Sequence, residues 1–131
     1  MDSLPVERRS IEIESLSHLG PLPCASKVGP LLESSIISPY DPGTRDLPDT
    51  FEAQAENLFV HMGQMLEAAG GSWEHMAKIT FFVADAAEGR SKLNEPWLER
   101  FPDPMSRPAR HTQEIAPGQS KVTCVFTAYI P

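Results

Sequence analysis

The sequence is poor in the features that mark secreted and membrane proteins. It has two cysteines, Cys24 and Cys124, in 131 residues, which is too few for a disulfide framework, so we expect two unreactive thiols. No apolar run is long enough for a signal peptide or a membrane-spanning helix. We therefore expect a soluble, cytoplasmic protein with no membrane partner.

Motifs for metals and nucleotides are missing as well. The sequence contains neither an HExxH nor a CxxC motif, and no Cys/His pair has the short spacing of a zinc motif. The four histidines are His18, His61, His75 and His111. GxGxxG, GxxxxGK[ST] and GxSxG are also absent. We predict no metal and no cofactor, and we expect His61 to be a surface or boundary residue.

Positive charge is scarce. Eleven lysines and arginines stand against eighteen acidic residues, which gives a formal net charge of −7. The only adjacent basic pair is Arg8 and Arg9, and there is no basic stripe or aromatic stacking platform. Such a chain repels a phosphate backbone, so no nucleic-acid partner is expected.

The length and the hydrophobic content of the chain are typical of one folded domain. At 40% hydrophobic residues, a chain of 131 residues can bury a core but is too short for two ordinary domains. We predict a single domain over residues 1–131, with a loose tail at residues 1–10. The thirteen prolines are scattered and form no tract, so they indicate turns.

Several segments have the alternation or the β-branched composition that is typical of strands. They are Ser10–Ser15, Ala25–Ile37 (a hairpin around Gly29 and Pro30), Ala77–Val83, Ala109–Ile115 and Lys121–Tyr129. Pro117 and Gly118 separate the last two segments and predict a second hairpin.

Two helices are predicted between these strands. Asp49 is placed to cap the first helix, with Glu52 three residues later as in a capping box, and Gly70 and Gly71 end it. Asp85 is placed to cap the second helix. One face of that helix carries Leu93, Trp97 and Phe101.

This order of elements predicts an α+β fold. Helices interleaved with a mostly antiparallel sheet, and covering one of its faces, give a two-layer sandwich. The last strand is apolar on both faces, so the uncovered face of the sheet favours self-association.

The stretch Phe101–Thr112 is the strongest candidate for chemistry from residue types alone. Its prolines fix the backbone φ angle and remove donors, so the chain reaches Arg110 along a rigid, extended path. A guanidinium so placed offers a planar fork of donors suited to a carboxylate. The alternative is an ordinary solvated surface arginine.

Several segments together resemble the reactive-intermediate deaminase family, also called the YjgF or RidA family. They are VGPLLESS, a following loop with Asp-Pro, QAENLFVHMGQMLEAAGGSWEHMAKITFFVAD, LNEPWLERFP and SRPARHT. The resemblance runs from about Gly20 to Tyr129. It implies a chorismate-mutase-like α+β fold that assembles as a homotrimer, with a small carboxylate-bearing ligand bound in each cleft between subunits.

The resemblance also implies a site. Arg110 matches the arginine that holds the carboxylate of a small imine or enamine acid while water releases ammonia and leaves a 2-keto acid. Ser34 and Asn94 match a serine and an asparagine of the cleft, and Thr112 occupies the place of a cysteine two residues after the arginine. Few groups are needed, because an imine carbon is already electrophilic and requires mainly orientation, a water molecule and a proton.

The sequence departs from the family pattern at three further positions of the cleft. Leu22 replaces a tyrosine, Ser35 replaces a glycine, and Thr123 replaces the acidic residue that would position water. A threonine can hydrogen-bond but cannot act as a carboxylate base. Strand alternation places Glu114 on the face of Arg110, so Glu114 and Thr123 join Arg110 as the predicted catalytic groups.

Three functional interpretations follow. The first is a hydrolytic deaminase of small imine or enamine acids. The second is a non-catalytic trimeric protein that binds carboxylates in a metabolic pathway, or a biosynthetic enzyme with an altered substrate. The third, a ribonuclease, is disfavoured by the acidic charge. The sequence does not identify the substrate.

Overall fold

The computed structural model describes residues 7–131, and the chain folds there around one hydrophobic core. The elements are β1 (Arg8–Ile11), β2 (Ala25–Val28), β3 (Leu31–Ser34), α1 (Phe51–Ala68), β4 (Met76–Val83), α2 (Ala86–Arg100), β5 (Ala109–Glu114) and β6 (Val122–Tyr129). Of the predicted tail, residues 1–6 lie outside the described residues, and Arg8–Ser10 belong to β1. No helix among residues 7–131 has the length and apolarity that crossing a membrane requires.

The strands form one sheet in the order β1-β2-β3-β6-β4-β5. The β4–β5 pair is parallel, and the other neighbouring pairs are antiparallel. This arrangement confirms the predicted α+β class and the mostly antiparallel sheet. The hairpin predicted between β5 and β6 is wrong, because β4 lies between them. Turn residues such as Pro117 and Gly118 indicate where the chain turns, but they carry no information on which strand pairs with which.

Both helices pack on the same face of the sheet. The ring of Phe81 in β4 lies 6.0 Å from that of Phe59 in α1 and 6.5 Å from that of Trp97 in α2, measured between centroids. Alternate residues of β6, including Val122 and Cys124, are buried beneath the helices. The predicted two-layer sandwich is therefore confirmed.

The helix ends follow local chemistry, with one correction. Thr50 caps α1, not Asp49, because its hydroxyl accepts the N–H of Ala53 at 3.1 Å. At the other end, Gly70 has a φ of +85°, and its N–H bonds the carbonyl of Glu67, as the predicted glycine stop requires. The cap predicted for α2 is present.

The first strand is displaced from its prediction. It was expected at Ser10–Ser15 and is found at Arg8–Ile11. Residues beyond Ile11 leave the sheet to make other contacts, since a carboxylate oxygen of Glu12 accepts the N–H of Cys24 at 2.9 Å. The alternating pattern continued past the point where a partner strand was available.

His61 is completely buried, so its prediction as a surface or boundary residue is wrong. It lies three residues after Leu58 and four before Met65, on the apolar face of α1. Its Nδ1 accepts the hydroxyl of Ser15 at 2.7 Å, and its Nε2–H donates to the carbonyl of Tyr40 at 2.8 Å. Both ring nitrogens are thus occupied in the neutral form. Burial lowers the pKa of His61.

Acidification should destabilise the fold through His61. An unfolded histidine titrates near pH ~6.5, and the pKa of folded His61 is lower, so the unfolded state binds more protons as the pH falls below that value. The contribution of neutral His61 to the free energy of unfolding is therefore fully present above about pH 6.5. As the pH falls from there toward the pKa of folded His61, this contribution decreases by at most about 1.4 kcal/mol per pH unit. Urea unfolding measured across this range checks the loss.

His61→Gln removes this titration and should show a smaller loss of unfolding free energy on acidification. His75→Gln is the matched control for the exchange of a histidine for glutamine, since His75 is only partly buried. An equal pH dependence of wild type and His61→Gln contradicts the prediction.

Candidate functional site

Arg110 lies on the helical face of the sheet. In the parallel pairing of β4 and β5, Arg110 stands opposite Ile79, a fully buried residue beneath the helices. Neighbouring strands share their inward and outward faces, so the side chain of Arg110 extends toward α2 and not toward the open side of the sheet.

Two residues of α2 hold the guanidinium in place. Its central carbon lies 5.0 Å from the centroid of the Trp97 ring, and its Nη2–H donates to Oδ1 of Asn94 at 2.9 Å. Asn94 and Trp97 are three residues apart and therefore share one helical face. The indole sets the plane of the guanidinium, and the amide sets its rotation within that plane.

The same guanidinium has too few acceptors. Its Nη1 is enclosed and has no hydrogen-bond partner among residues 7–131. A buried donor left unsatisfied costs about 1–3 kcal/mol, and more when charged. Burial lowers the pKa of Arg110, and the positive charge of Arg90 lowers it further, yet an arginine remains protonated near neutral pH. A ligand that brings carboxylate oxygens to this group would relieve the deficit.

Thr112 and Glu114 follow Arg110 on the same face of β5. Thr112 stands opposite the core residue Phe81. Glu114 accepts the N–H of Ala86 through Oε1 at 3.0 Å and so caps the first turn of α2. At a rise of about 3.3 Å per residue, Glu114 is roughly 13 Å along the strand from Arg110. Thr112 is therefore the nearer of the two.

Ser34, Ser35 and Leu22 lie in another part of the chain. Two strands separate β3 from β5, which places Ser34 roughly 14 Å from the line of β5. The Oγ of Ser34 accepts the N–H of Phe126 at 2.9 Å, and the hydroxyl of Ser35 donates to the carbonyl of Pro23 at 2.7 Å. Leu22 is exposed in the loop before β2. A single chain does not bring these three residues to Arg110.

Thr123 lies on the other face of the sheet. It pairs with Phe82 of β4, whereas its neighbours Val122 and Cys124 are buried beneath the helices. Within one chain, therefore, Thr123 and Arg110 point to opposite sides.

Sequence reasoning missed two members of this site. Trp97 was expected only as a core residue of α2, although it also supports Arg110. Arg90 was not predicted as a site residue, although its charge lowers the pKa of Arg110. The available signal was the spacing of Arg90, Asn94 and Trp97, which places the three residues on one helical face.

No group of three or more His, Cys, Asp or Glu side chains suited to a metal occurs in the part of the chain that the structure describes. Cys24 and Cys124 are both buried, and burial raises the pKa of each thiol. Both thiols are therefore protonated near neutral pH, which makes them poor nucleophiles.

Comparison with known proteins supports the family resemblance. The profile of the family described as Endoribonuclease L-PSP matches residues 12–123. Reactive Intermediate Deaminase A, chloroplastic, from Arabidopsis thaliana is 29% identical over 95% of this chain and 71% of that protein. The mitochondrial protein mmf2 of Schizosaccharomyces pombe is 32% identical over 83% of this chain and 82% of its own length.

Solved structures agree with these sequence comparisons. The crystal structure of RidA from an Antarctic Psychrobacter species superposes with a TM-score of 0.84 at 29% identity, and the match covers 93% of this chain and 99% of that one. The fold and the order of its elements are therefore shared with proteins of this type.

Binding of a small carboxylate at Arg110 should alter the fluorescence of Trp97. The chain has two tryptophans, so Trp73→Phe leaves Trp97 as the only indole. Titrating this variant with 2-oxobutanoate should change its emission saturably, because the guanidinium over the ring shifts when it takes up the carboxylate.

Two further variants test the assignment of this signal. Arg110→Gln in the Trp73→Phe background should abolish the change, and Trp97→Phe, which keeps Trp73, should show little of it. A signal that survives Arg110→Gln contradicts the assignment.

Proposed function

The chain belongs to the family described as Endoribonuclease L-PSP, the YjgF/RidA family, and we propose that it hydrolyses small imine or enamine carboxylic acids to 2-keto acids and ammonia. The observation that carries the proposal is Arg110, which Asn94 and Trp97 hold in position while its Nη1 has no acceptor among residues 7–131. A relative at 29% identity is named as a deaminase of reactive intermediates.

Arg110 binds the substrate carboxylate and thereby fixes the position of the adjacent C=N carbon. An enamine first becomes the imine, as a proton leaves its nitrogen and another adds to its terminal carbon. Water then adds to the C=N carbon, the C–N bond breaks, and the nitrogen leaves as ammonia while the carbon retains oxygen as a ketone. The reaction needs no redox partner. Since the imine is already electrophilic, the contribution of the protein is mainly orientation. The hydroxyl of Thr112, on the same face of β5, is available to hydrogen-bond the substrate or the water.

A second copy of the chain would complete this site. Ser34, Ser35 and Leu22 lie too far from Arg110 within one chain, so they can line its cleft only from a neighbouring subunit. The open face of the sheet supports assembly, since it carries the half-buried Val125 and the exposed Tyr129. We therefore propose a homotrimer with ligand clefts between subunits.

Purified protein should accelerate ammonia release from enzymatically generated 2-aminoacrylate, and Arg110→Ala should reduce the rate by about 100-fold or more, because the substrate loses its orientation. Arg45→Ala is a matched control. The guanidinium of Arg45 also lies over an aromatic ring, that of Tyr40 at 4.7 Å, and its loss should leave the rate unchanged. If Arg110→Ala is as active as the wild type, Arg110 does not bind the substrate carboxylate and the assignment is wrong.

A second candidate function is carboxylate binding without turnover. It is favoured by Thr123, whose side chain points away from Arg110. It is also favoured by Glu114, whose carboxylate already accepts the N–H of Ala86 at the N-terminal end of α2. No carboxylate base then stands beside Arg110 in the described part of the chain. Saturable binding of 2-oxobutanoate with no ammonia release from the imine would select this alternative.

The proposed assembly predicts a particle of three times the 14.5 kDa chain mass in sedimentation or light scattering. Val125→Glu places a charge on the open face beside Thr80 and should shift the particle toward the monomer. Leu98→Glu introduces the same charge at a half-exposed site on α2 as a control and should remain assembled. A wild-type monomer at micromolar concentration refutes the trimer.

A further inference from the structure

Arg90 places a second positive charge at the candidate site. It precedes Asn94 by four residues and Trp97 by seven on α2, so all three side chains share the helical face that holds Arg110. Arg90 is exposed, whereas Arg110 is partly buried. Asn94, one helical turn after Arg90, binds Arg110 directly at 2.9 Å. The charge of Arg90 lowers the pKa of Arg110, as the second cause after burial.

Neither arginine has a carboxylate partner in the described part of the chain. The ion pairs found among residues 7–131 join Lys92 to Glu52 and Glu88, and Arg100 to Glu56 and Glu99. Glu114 is the carboxylate that β5 contributes near this end of α2, and it binds the N–H of Ala86 instead.

Two neighbouring cations without counter-ions are unfavourable. Their mutual repulsion adds to the cost of the unsatisfied Nη1 of Arg110. The chain has eighteen acidic residues and a net charge of −7, yet no carboxylate of residues 7–131 forms an ion pair with either arginine. A bound ligand with one carboxylate would neutralise Arg110 alone, whereas a ligand with two would neutralise both arginines.

We propose that the site at Arg110 extends to Arg90 and prefers acids with a second carboxylate, so that its substrates are imines of dicarboxylic acids. This inference rests on the proposed function, because it takes Arg110 as the anchor of the first carboxylate. Residues four apart on a helix have Cβ atoms about 5–6 Å apart, and Arg90 has a long side chain. Since Asn94 binds Arg110 directly, Arg90 lies one helical turn from that contact, and a short dicarboxylic acid such as 2-oxoglutarate is the natural first probe.

Calorimetry with two keto acids of the same shape tests the inference. The probes are 2-oxoglutarate and 5-methyl-2-oxohexanoate, in which two methyl groups replace the oxygens of the second carboxylate. At low ionic strength the wild type should bind 2-oxoglutarate about fivefold more tightly or better, as expected for a partly exposed charge pair. Added salt should reduce the preference by screening Arg90.

Arg90→Gln should abolish this preference while retaining the affinity for 5-methyl-2-oxohexanoate, and Arg110→Gln should weaken the binding of both acids. Lys92→Gln is the matched control. It removes one positive charge from the same helix, but the ammonium of Lys92 already lies between Glu52 and Glu88, so the preference should persist.

The outcomes separate this inference from the proposed function. Equal affinity of the wild type for the two acids, or a preference that survives Arg90→Gln, overturns the role of Arg90 and leaves the anchor at Arg110 standing. Absence of binding by either acid overturns both. A dicarboxylate preference that depends on Arg90, with no ammonia release from any imine, supports the extended anion site and rejects the hydrolytic activity.

Discussion

The parallel pairing of β5 with β4 is the constraint on which the candidate site depends. Two parallel strands that follow each other in the chain require a crossover, and α2 provides it by packing across the sheet face above them. The register then places Arg110 opposite Ile79, directly under that helix. Trp97 belongs to the aromatic core through Phe81 and also supports the guanidinium. The residue that orients the charge is thus fixed by the packing that stabilises the fold.

Local signals in the sequence predicted local structure well. The helical period and the glycine at position 70 located α1, and an aspartate at position 85 located the start of α2. The errors arose where the outcome depended on distant parts of the chain. His61 looks like a polar boundary residue until Ser15 and Tyr40 supply partners for both ring nitrogens. The pairing of β5 could not be predicted either. β5 and β6 follow each other in the chain, but in the folded sheet β4 lies between them.

The candidate site shows the same division. The proline-rich approach and the family resemblance were sufficient to select Arg110 and Asn94, which the structure joins by a hydrogen bond. The stacking of Arg110 on Trp97 could not be predicted, because it depends on the register between β5 and β4 and on the rotation of α2 above them. Arg90 escaped attention for the same reason. Its position relative to Arg110 is defined only once the helix lies on the sheet.

The proposed reaction has two requirements, orientation of the substrate and activation of water, and the candidate residues for the two lie in different places. On the proposed function, one chain would orient the substrate, because Arg110, Asn94 and Trp97 come from adjacent elements. The group that activates water would not come from the same set of residues. Thr123 points to the opposite face of the sheet, and Ser34 lies two strands further across it than β4. In the described residues, β5 has no partner strand along its outer edge, so a neighbouring subunit can approach Arg110 from that side. On the proposed function, then, the chain fixes where the carboxylate lies, and the assembly determines which group faces the imine carbon.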